Sequence, residues 1–259
     1  MQTYRARRVL RADRNGSSWP ALIETEAGLF HTKLRGAGQA PGSLVAEIVV
    51  GALADALGLS VPARVLIDIR TDIRVDDPHQ ELAQLIRRSR GRNLGFQFLP
   101  NARDFRSPDV PAVDRELASK IVWLDGLVQN PDRTLNNPNL LWSDRQLWLI
   151  DHGASLGFHH DWPSVTEDVP RTRGWDASRH VLKSRADQVA VIDESMAGRL
   201  PRAVLASALD AVPDDFLSEP GADATRRRRA AYVAFLWKRL KRPRPFVPEA
   251  APSMKGEQT

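Results

Sequence analysis

Two short stretches near the middle of the chain, NPDRTLNNPNLL at 130–141 and LWLIDHGASL at 147–156, concentrate residue types that handle phosphate and hard cations. Asp132 and Asn137 are five residues apart in what reads as a loop, and Asp151 comes fourteen residues after Asn137, at the end of an apolar run. A short hairpin between them can bring two carboxylates and an amide oxygen to one point. Magnesium takes hard oxygen ligands and completes its shell with water and phosphate, so a carboxylate plus an asparagine amide is a suitable partial set. The other aspartate can then accept or orient the proton of an attacking hydroxyl. Arg133 either adds positive charge near phosphates or tethers the loop. Asn139 competes with Asn137 as the amide ligand, and spacing favours Asn137. Asn and Asp are also common turn formers, so either stretch alone is better read as a turn.

Two residues upstream change that balance. Lys33 lies on a predicted strand, 29–34, sharing a face with Leu29 and His31 because strand side chains alternate. Glu47 is a single acid within an otherwise apolar helical stretch. A lysine that reaches α- and β-phosphates is usually held by a carboxylate. Before them, NGSS at 15–18 places Gly16, Ser17 and Ser18 in a turn whose backbone N–H groups can cover phosphates. Glycine turn, lysine, helix glutamate, Asp-x4-Asn and a second aspartate follow one another as the parts of a protein-kinase-like phosphotransferase do.

The elements that must position these residues are legible in outline. The first 70 residues read β-β-β-α-β: strands at 3–13, 19–25 and 29–34, a helix from an N-cap at Ser43 to a stop at Gly58, and a strand at 61–70. Residues 71–112 are less regular, with a helix over 78–90 and a short extended segment at 95–100. Leu117, Ile121, Leu124 and Val128 then recur at helical spacing, and that helix should stop near Pro131. Two short strands, 140–142 and 147–150, flank the turn SDRQ. Helices follow at 185–198, 201–211 and 223–241, the last with Ala230, Val233, Trp237 and Leu240 on its apolar face. The predicted class is α+β: a small β-rich nucleotide-binding lobe with one helix over 1–98, a larger, mainly helical lobe over 99–245, and a disordered tail from 246.

Composition narrows the alternatives. Of 259 residues, 42% are hydrophobic and 27% charged, which suits a packed globular chain. The longest apolar candidate, 43–59, is broken by Glu47 and Asp55, so a membrane span is not expected. The basic N-terminus lacks the apolar core of a secretory signal. No cysteine is present, which excludes disulfides and thiolate metal sites and fits a cytoplasmic protein. The net charge of +5 is concentrated in RRRR at 226–229 and KRLKRPR at 238–244. Such runs are usually solvated helix faces; a nucleic-acid-associated module using this helix is the rival class, though neither basic run has an aromatic within it as a base-stacking platform requires. His159, His160 and Asp161 read as a surface turn, and His31 and His180 carry no signal.

NPDRTLNNPNLL resembles the catalytic loop of HipA-like kinases, and LIDHGASL is similar to their metal-binding segment and to the IDFG of phosphoinositide lipid kinases. LFHTKLRG and the helix around Glu47 with the following LGLSVP resemble the family's nucleotide lobe; VPDDFL and the helix before RPRPFVPEA resemble its helical end. The resemblance implies a bilobal kinase that uses ATP and Mg2+ and transfers the γ-phosphoryl to a hydroxyl acceptor, a protein serine or threonine by the family's pattern, with a small molecule as the alternative acceptor. It implies Asp132 as catalytic aspartate, Asn137 and Asp151 as metal ligands, Lys33 as the phosphate-binding lysine and Glu47 as its partner. Adenine is then expected between lobes, against the backbone from Gln97 to Leu99. The chain departs from the pattern in its short glycine turn, in His152 where many kinases have Phe, and in Thr134 where related loops have His. An idle, nucleotide-binding member of the family is the other alternative.

Overall fold

The structure, a computed structural model, describes residues 1–12, 20–37, 41–217 and 219–248. The NGSS turn with Gly16, Ser17 and Ser18, and the tail from 249, lie outside the described residues.

The N-terminal lobe is a mixed seven-stranded sheet in the order β1-β5-β7-β4-β3-β2-β6. Its strands are β1 (Thr3–Arg5), β2 (Arg8–Ala12), β3 (Ala21–Thr25), β4 (Gly28–Lys33), β5 (Arg64–Ile69), β6 (Arg74–Val75) and β7 (Gly91–Gln97). The expected single strand at 3–13 is therefore two. Between them the Ala6 N–H donates to Asp68 and the Arg7 N–H to Glu24, so this link spans from β5 to β3 and curls the sheet. Residues 95–100 are more than a short extended segment: β7 begins at Gly91 and sits between β5 and β4. Gly95 allows this, since a Cβ there would meet Ile67 Cγ1 at 2.7 Å.

Two helices accompany this sheet rather than one. The first, α1 (Pro41–Leu57), starts at its proline, so Ser43 lies inside it instead of capping it. It ends as expected at Gly58, whose φ of +76° suits a left-handed stop. Its apolar residues point in every direction and nearly all are buried, as an all-round hydrophobic helix requires. The second, α2 (Gln80–Arg88), buries Leu82, Leu85 and Ile86 at helical spacing.

The C-terminal lobe combines a three-stranded sheet, β10-β9-β8, with helices. Its strands are β8 (Arg103–Asp104), β9 (Leu140–Ser143) and β10 (Gln146–Leu149). The helices are α3 (Arg115–Val128), α4 (Val169–Thr172), α5 (Val189–Gly198), α6 (Arg202–Asp210), α7 (Asp214–Leu217) and α8 (Ala222–Arg239). One apolar cluster joins α1 to α3, α6 and α8, and a second lies within the N-terminal sheet beneath α2. Trp123 on α3 is fully buried, its indole N–H donating to Asp193 at 2.8 Å and its ring edge-on to Phe246 at 5.4 Å. Phe246 is itself buried, so the packed chain runs past 245 into the expected tail. On α8 the buried residues are Thr225, Tyr232, Val233, Phe235, Leu236 and Arg239; Ala230 is exposed and Trp237 only half-buried. Among the described residues no helix is long and apolar enough to cross a membrane.

Candidate active site

The Asp132 loop is shaped by the end of α3. Asp114 caps the start of this helix, accepting the Leu117 N–H at 2.9 Å, and Gln129 ends it in the left-handed conformation just before Asn130-Pro131. Asn130 then acts as a brace: its Oδ1 takes the Asp132 N–H at 3.0 Å and its Nδ2 donates to Asp125 at 2.9 Å. Its carbonyl accepts the Trp175 indole N–H at 2.8 Å. Asp132, half-buried, accepts on Oδ2 from the amides of Asn137 at 2.9 Å and Asn139 at 3.2 Å. Both asparagines spend their NH2 groups on this one oxygen. That leaves their amide oxygens, and Oδ1 of Asp132, for other partners.

The hairpin behaves as the sequence suggests. Asp144 and Arg145 both have positive φ, 51° and 63°, the conformation a two-residue hairpin turn needs. Leu140 pairs with Leu149, and the Ile150 N–H closes the base onto the Asn139 carbonyl at 3.1 Å. Asn139 and Asp151 are thus brought to the same end of the hairpin. Both hold left-handed backbones, φ 49° and 54°, at a cost of about 1 kcal/mol or more each for residues with a Cβ.

Asp151 meets the N-terminal lobe through Lys33. The lysine, at the end of β4, donates from Nζ to Glu47 Oε1 and to Asp151 Oδ1, the latter at 2.5 Å. Side-chain exposure is 11% for Lys33 and 0% for Glu47, against 39% for Asp151, so the triad is sealed on the helix side and open at the aspartate. Burial alone would lower the Lys33 pKa, but the two carboxylates outweigh it and hold the ammonium well above its ordinary range. Burial pushes the Glu47 carboxyl up, with the Lys33 charge opposing. Burial also acts to raise Asp151, yet Lys33 prevails and keeps it below the usual carboxylate value. Glu47 Oε2 and His152 Nε2 are buried without a hydrogen-bond partner among the described residues.

The structure thus unites Lys33, Glu47 and Asp151, and separately Asp132, Asn137 and Asn139, with the hairpin joining the two groups. Gln97 and Leu99 lie farther along the lobe junction. Gln97 is exposed, with its N–H committed to Ala63 at 2.9 Å, and the Phe98 N–H goes to Leu29 at 3.2 Å. The Leu99 N–H has no partner among the described residues. A cavity of about 550 Å3 adjoins the Asp132 loop, walled by Phe105, Pro108, Leu135, Asn137, Asn139 and Ile150.

Behind the loop the structure settles one alternative left open by the sequence, that of Arg133, and adds Asp125 and His180, which the sequence reading missed. Arg133 is buried and donates to Asp125 and to main-chain carbonyls, so it tethers the loop and does not face phosphate. His180, which carried no signal, is buried against Asp125 at 3.0 Å. Asp125 was hidden in the apolar run IVWLDGLV, where one acid on a buried helix face is itself a sign of a polar partner. His159 is not on a surface turn: it is buried, with Nδ1 3.0 Å from the Tyr232 hydroxyl. Among the described residues no three His, Cys, Asp or Glu side chains converge as a metal cage. A magnesium site completed by water and phosphate needs only one or two protein carboxylates.

Phosphoryl transfer asks for positive charge on phosphate oxygens and an acceptor for the attacking hydroxyl's proton, held at a fixed separation. Splitting these tasks between a lysine on a small sheet and a loop–hairpin pair on a helical lobe is the arrangement of protein-kinase-like phosphotransferases. The chain belongs to the HipA-like kinase family, whose sequence profile matches residues 7–225. No curated protein sequence matches it. Among solved structures it is similar to the crystal structure of a Helicobacter pylori proinflammatory kinase, CtkA. That match has a TM-score of 0.54 over 87% of this chain and 91% of the other, at 11% identity, a likeness of fold alone.

Proposed function

We propose that this kinase transfers the γ-phosphoryl of ATP, in the presence of Mg2+, to a hydroxyl on a protein serine or threonine. The observation that carries this reading is the buried Lys33 ammonium shared between Glu47 and Asp151. A cation held so firmly, with one open side, suits phosphate oxygens. The donor set around it also fits magnesium: a carboxylate oxygen of Asp151 not used by Lys33, and an asparagine amide oxygen freed because its NH2 goes to Asp132. Magnesium, when bound, would neutralise phosphate charge as it develops.

Asp151 with Asn137 or Asn139 would hold the ion. Spacing favours Asn137, and the hairpin register favours Asn139, whose carbonyl closes the base beside Ile150. Asp132 keeps Oδ1 free to accept the hydrogen bond of an attacking hydroxyl, and the adjoining cavity gives the acceptor room. Lys33 fixes the phosphates from the opposite lobe. The backbone from Gln97 to Leu99 would receive the base, with the Leu99 N–H as the available donor. Gly16, Ser17 and Ser18 keep their proposed role of covering phosphates.

The nucleic-acid alternative loses support from the α8 arginines. Arg226 pairs with Asp223, Arg228 with Glu219 and Arg229 with Asp214, so most of the run's charge is matched locally. The test is incubation of the protein with γ-labelled ATP, Mg2+ and a cell lysate. Label should appear on a protein hydroxyl, as an acid-stable phosphoester, and disappear with Asp132→Asn. Label on a small molecule would retain the kinase and overturn the protein acceptor. No label above the Asp132→Asn background would overturn the proposed activity.

A further inference from the structure

Beneath the loop lies an ion-paired cluster that touches neither lobe's phosphate-facing surface. Arg133 and Asp125 are both fully buried in their side chains, and Nε donates to Oδ2 at 2.6 Å. The rest of the guanidinium reaches both halves of the site. Nη1 donates to the Asn139 carbonyl and lies 3.4 Å from the Ile150 carbonyl; Nη2 lies 3.3 Å from His152 Nδ1. One planar group therefore spans the residue that enters β9 and the two residues that flank Asp151.

Asp125 is held in turn from two sides. Asn130 donates to its Oδ1 at 2.9 Å, and His180 Nε2 lies 3.0 Å from its Oδ2. The Leu182 N–H donates to His180 Nδ1 at 3.0 Å, so the ring proton sits on Nε2 and points at the carboxylate. The same segment pairs with the loop main chain: the Val181 N–H donates to the Arg133 carbonyl at 3.1 Å, and Thr134 bridges His180. Left-handed backbones at Asn139 and Asp151 persist only where their surroundings over-determine them. The guanidinium supplies that constraint at both positions at once.

We infer that Asp125, Arg133 and His180 are positioning residues for phosphoryl transfer, clamping the Asp132–Asn139 loop and the Asp151 segment at one fixed separation. The inference rests on the proposed roles of Asn139 and Asp151 toward magnesium. None of the three residues reaches the reacting atoms. Arginine is required because its rigid fork reaches four acceptors that a lysine's point charge cannot serve together.

The test compares wild type with Arg133→Lys, using amide hydrogen exchange on the nucleotide-free protein and the Mg2+ concentration needed for half of the ATP-induced melting shift. Exchange should quicken in both 132–140 and 150–156, and the Mg2+ requirement should rise about tenfold. Faster exchange in 132–140 alone, with an unchanged Mg2+ requirement, would overturn the clamp. His180→Gln should raise the requirement in the same direction by a smaller factor; no change would remove His180 from the assignment. If Arg133→Lys does not fold, the pair is replaced together as Asp125→Leu with Arg133→Met, since apolar pairs of similar volume often substitute for buried ion pairs. That variant should fold yet keep fast exchange in both segments, and normal protection there would overturn the inference. A wild type that shows no Mg2+-dependent ATP shift would count against the proposed function, while the exchange experiment still decides the clamp.

Discussion

Under the proposed function, Asp132 would serve the chemical step and its two asparagines the metal, and substitutions can separate the two jobs. In Asp132→Asn the new amide oxygen can still accept from Asn137 and Asn139, which turns its NH2 toward the acceptor and leaves no lone pair for the hydroxyl. ATP and Mg2+ should bind nearly normally while turnover falls by about 100- to 10,000-fold, the usual range for a lost general base. Steady-state turnover beside an ATP-binding titration checks this. Asn139→Ala and Asn137→Ala are distinguished by turnover against Mg2+: rescue by excess metal in Asn139→Ala alone supports the hairpin register, and rescue in Asn137→Ala alone supports spacing. Lys33 carries a stability cost as well as a functional one. Lys33→Met leaves Glu47 buried and unpaired, a loss of about 3–5 kcal/mol in urea unfolding, and adding Glu47→Leu should recover much of it.

At the scale of elements, the helices and hairpin that carry the site follow local rules, and the sheet that carries Lys33 does not. α3 is bounded by an Asp N-cap and by an Asn-Pro turn, the latter at the stop that the sequence places near Pro131. The placing of β7 between β4 and β5 depends on a tight fit at Gly95. Gly95→Ala pushes a methyl against Ile67 and Val65 and should destabilise by about 1–3 kcal/mol. An unchanged denaturation midpoint would show that the strand gives way freely. On α8 the arginines divide by environment. Arg226 and Arg227 are exposed, whereas Arg228 lies 4.5 Å over the Trp162 ring and Arg229 donates to the Val212 carbonyl and Asp214. Replacing the first two with Gln should leave the melting temperature almost unchanged; replacing the second two should lower it.

For the whole molecule, acid sensitivity follows from a histidine buried between the lobes' elements. Burial first, and His160 second, hold His159 well below its ordinary range, at about 3. It faces His160 in its own segment, Tyr232 on α8, and the Gly42 edge of α1; no carboxylate bonds to it among the described residues. The unfolded chain therefore takes up this proton first. Stability from this group is complete above about pH 6.5 and declines by about 1.4 kcal/mol per pH unit as pH falls toward the folded value. Urea midpoints measured from neutral to mildly acidic pH should fall in wild type and fall less steeply in His159→Leu. Equal slopes would mean the ring is not buried neutral. The two lobes also predict ligand linkage: ATP with Mg2+ at about 100 times its Kd should add about 2.7 kcal/mol of apparent stability, and Asp151→Ala should remove the Mg2+-dependent part.

Lys33, Asp132 and Asp151 were legible in the sequence because each is a polar residue of the right chemistry at or just beyond the end of an apolar element, and Glu47 because it is a lone acid inside one; local periodicity is enough to place both. The same is true of the hairpin, whose turn residues and alternating flanks are neighbours in the chain. Ala230, His159 and His180 were misread for the complementary reason, whereas Ser43 was misread locally, because the helix already starts at Pro41. Whether a residue on a helix or loop is buried depends on what packs against it, and the partners of these two histidines are 55 and 73 residues away in the chain: His180 on Asp125, His159 on Tyr232. Asp125 and Arg133 look ordinary singly, and their role is set by burial together, because a charge removed from water must find its opposite at hydrogen-bond distance. The sequence alone determined which chemistry the chain carries and on which elements. The tertiary structure alone decided which charges are sealed together, since long-range packing sets both the desolvation of each group and the partner that compensates it.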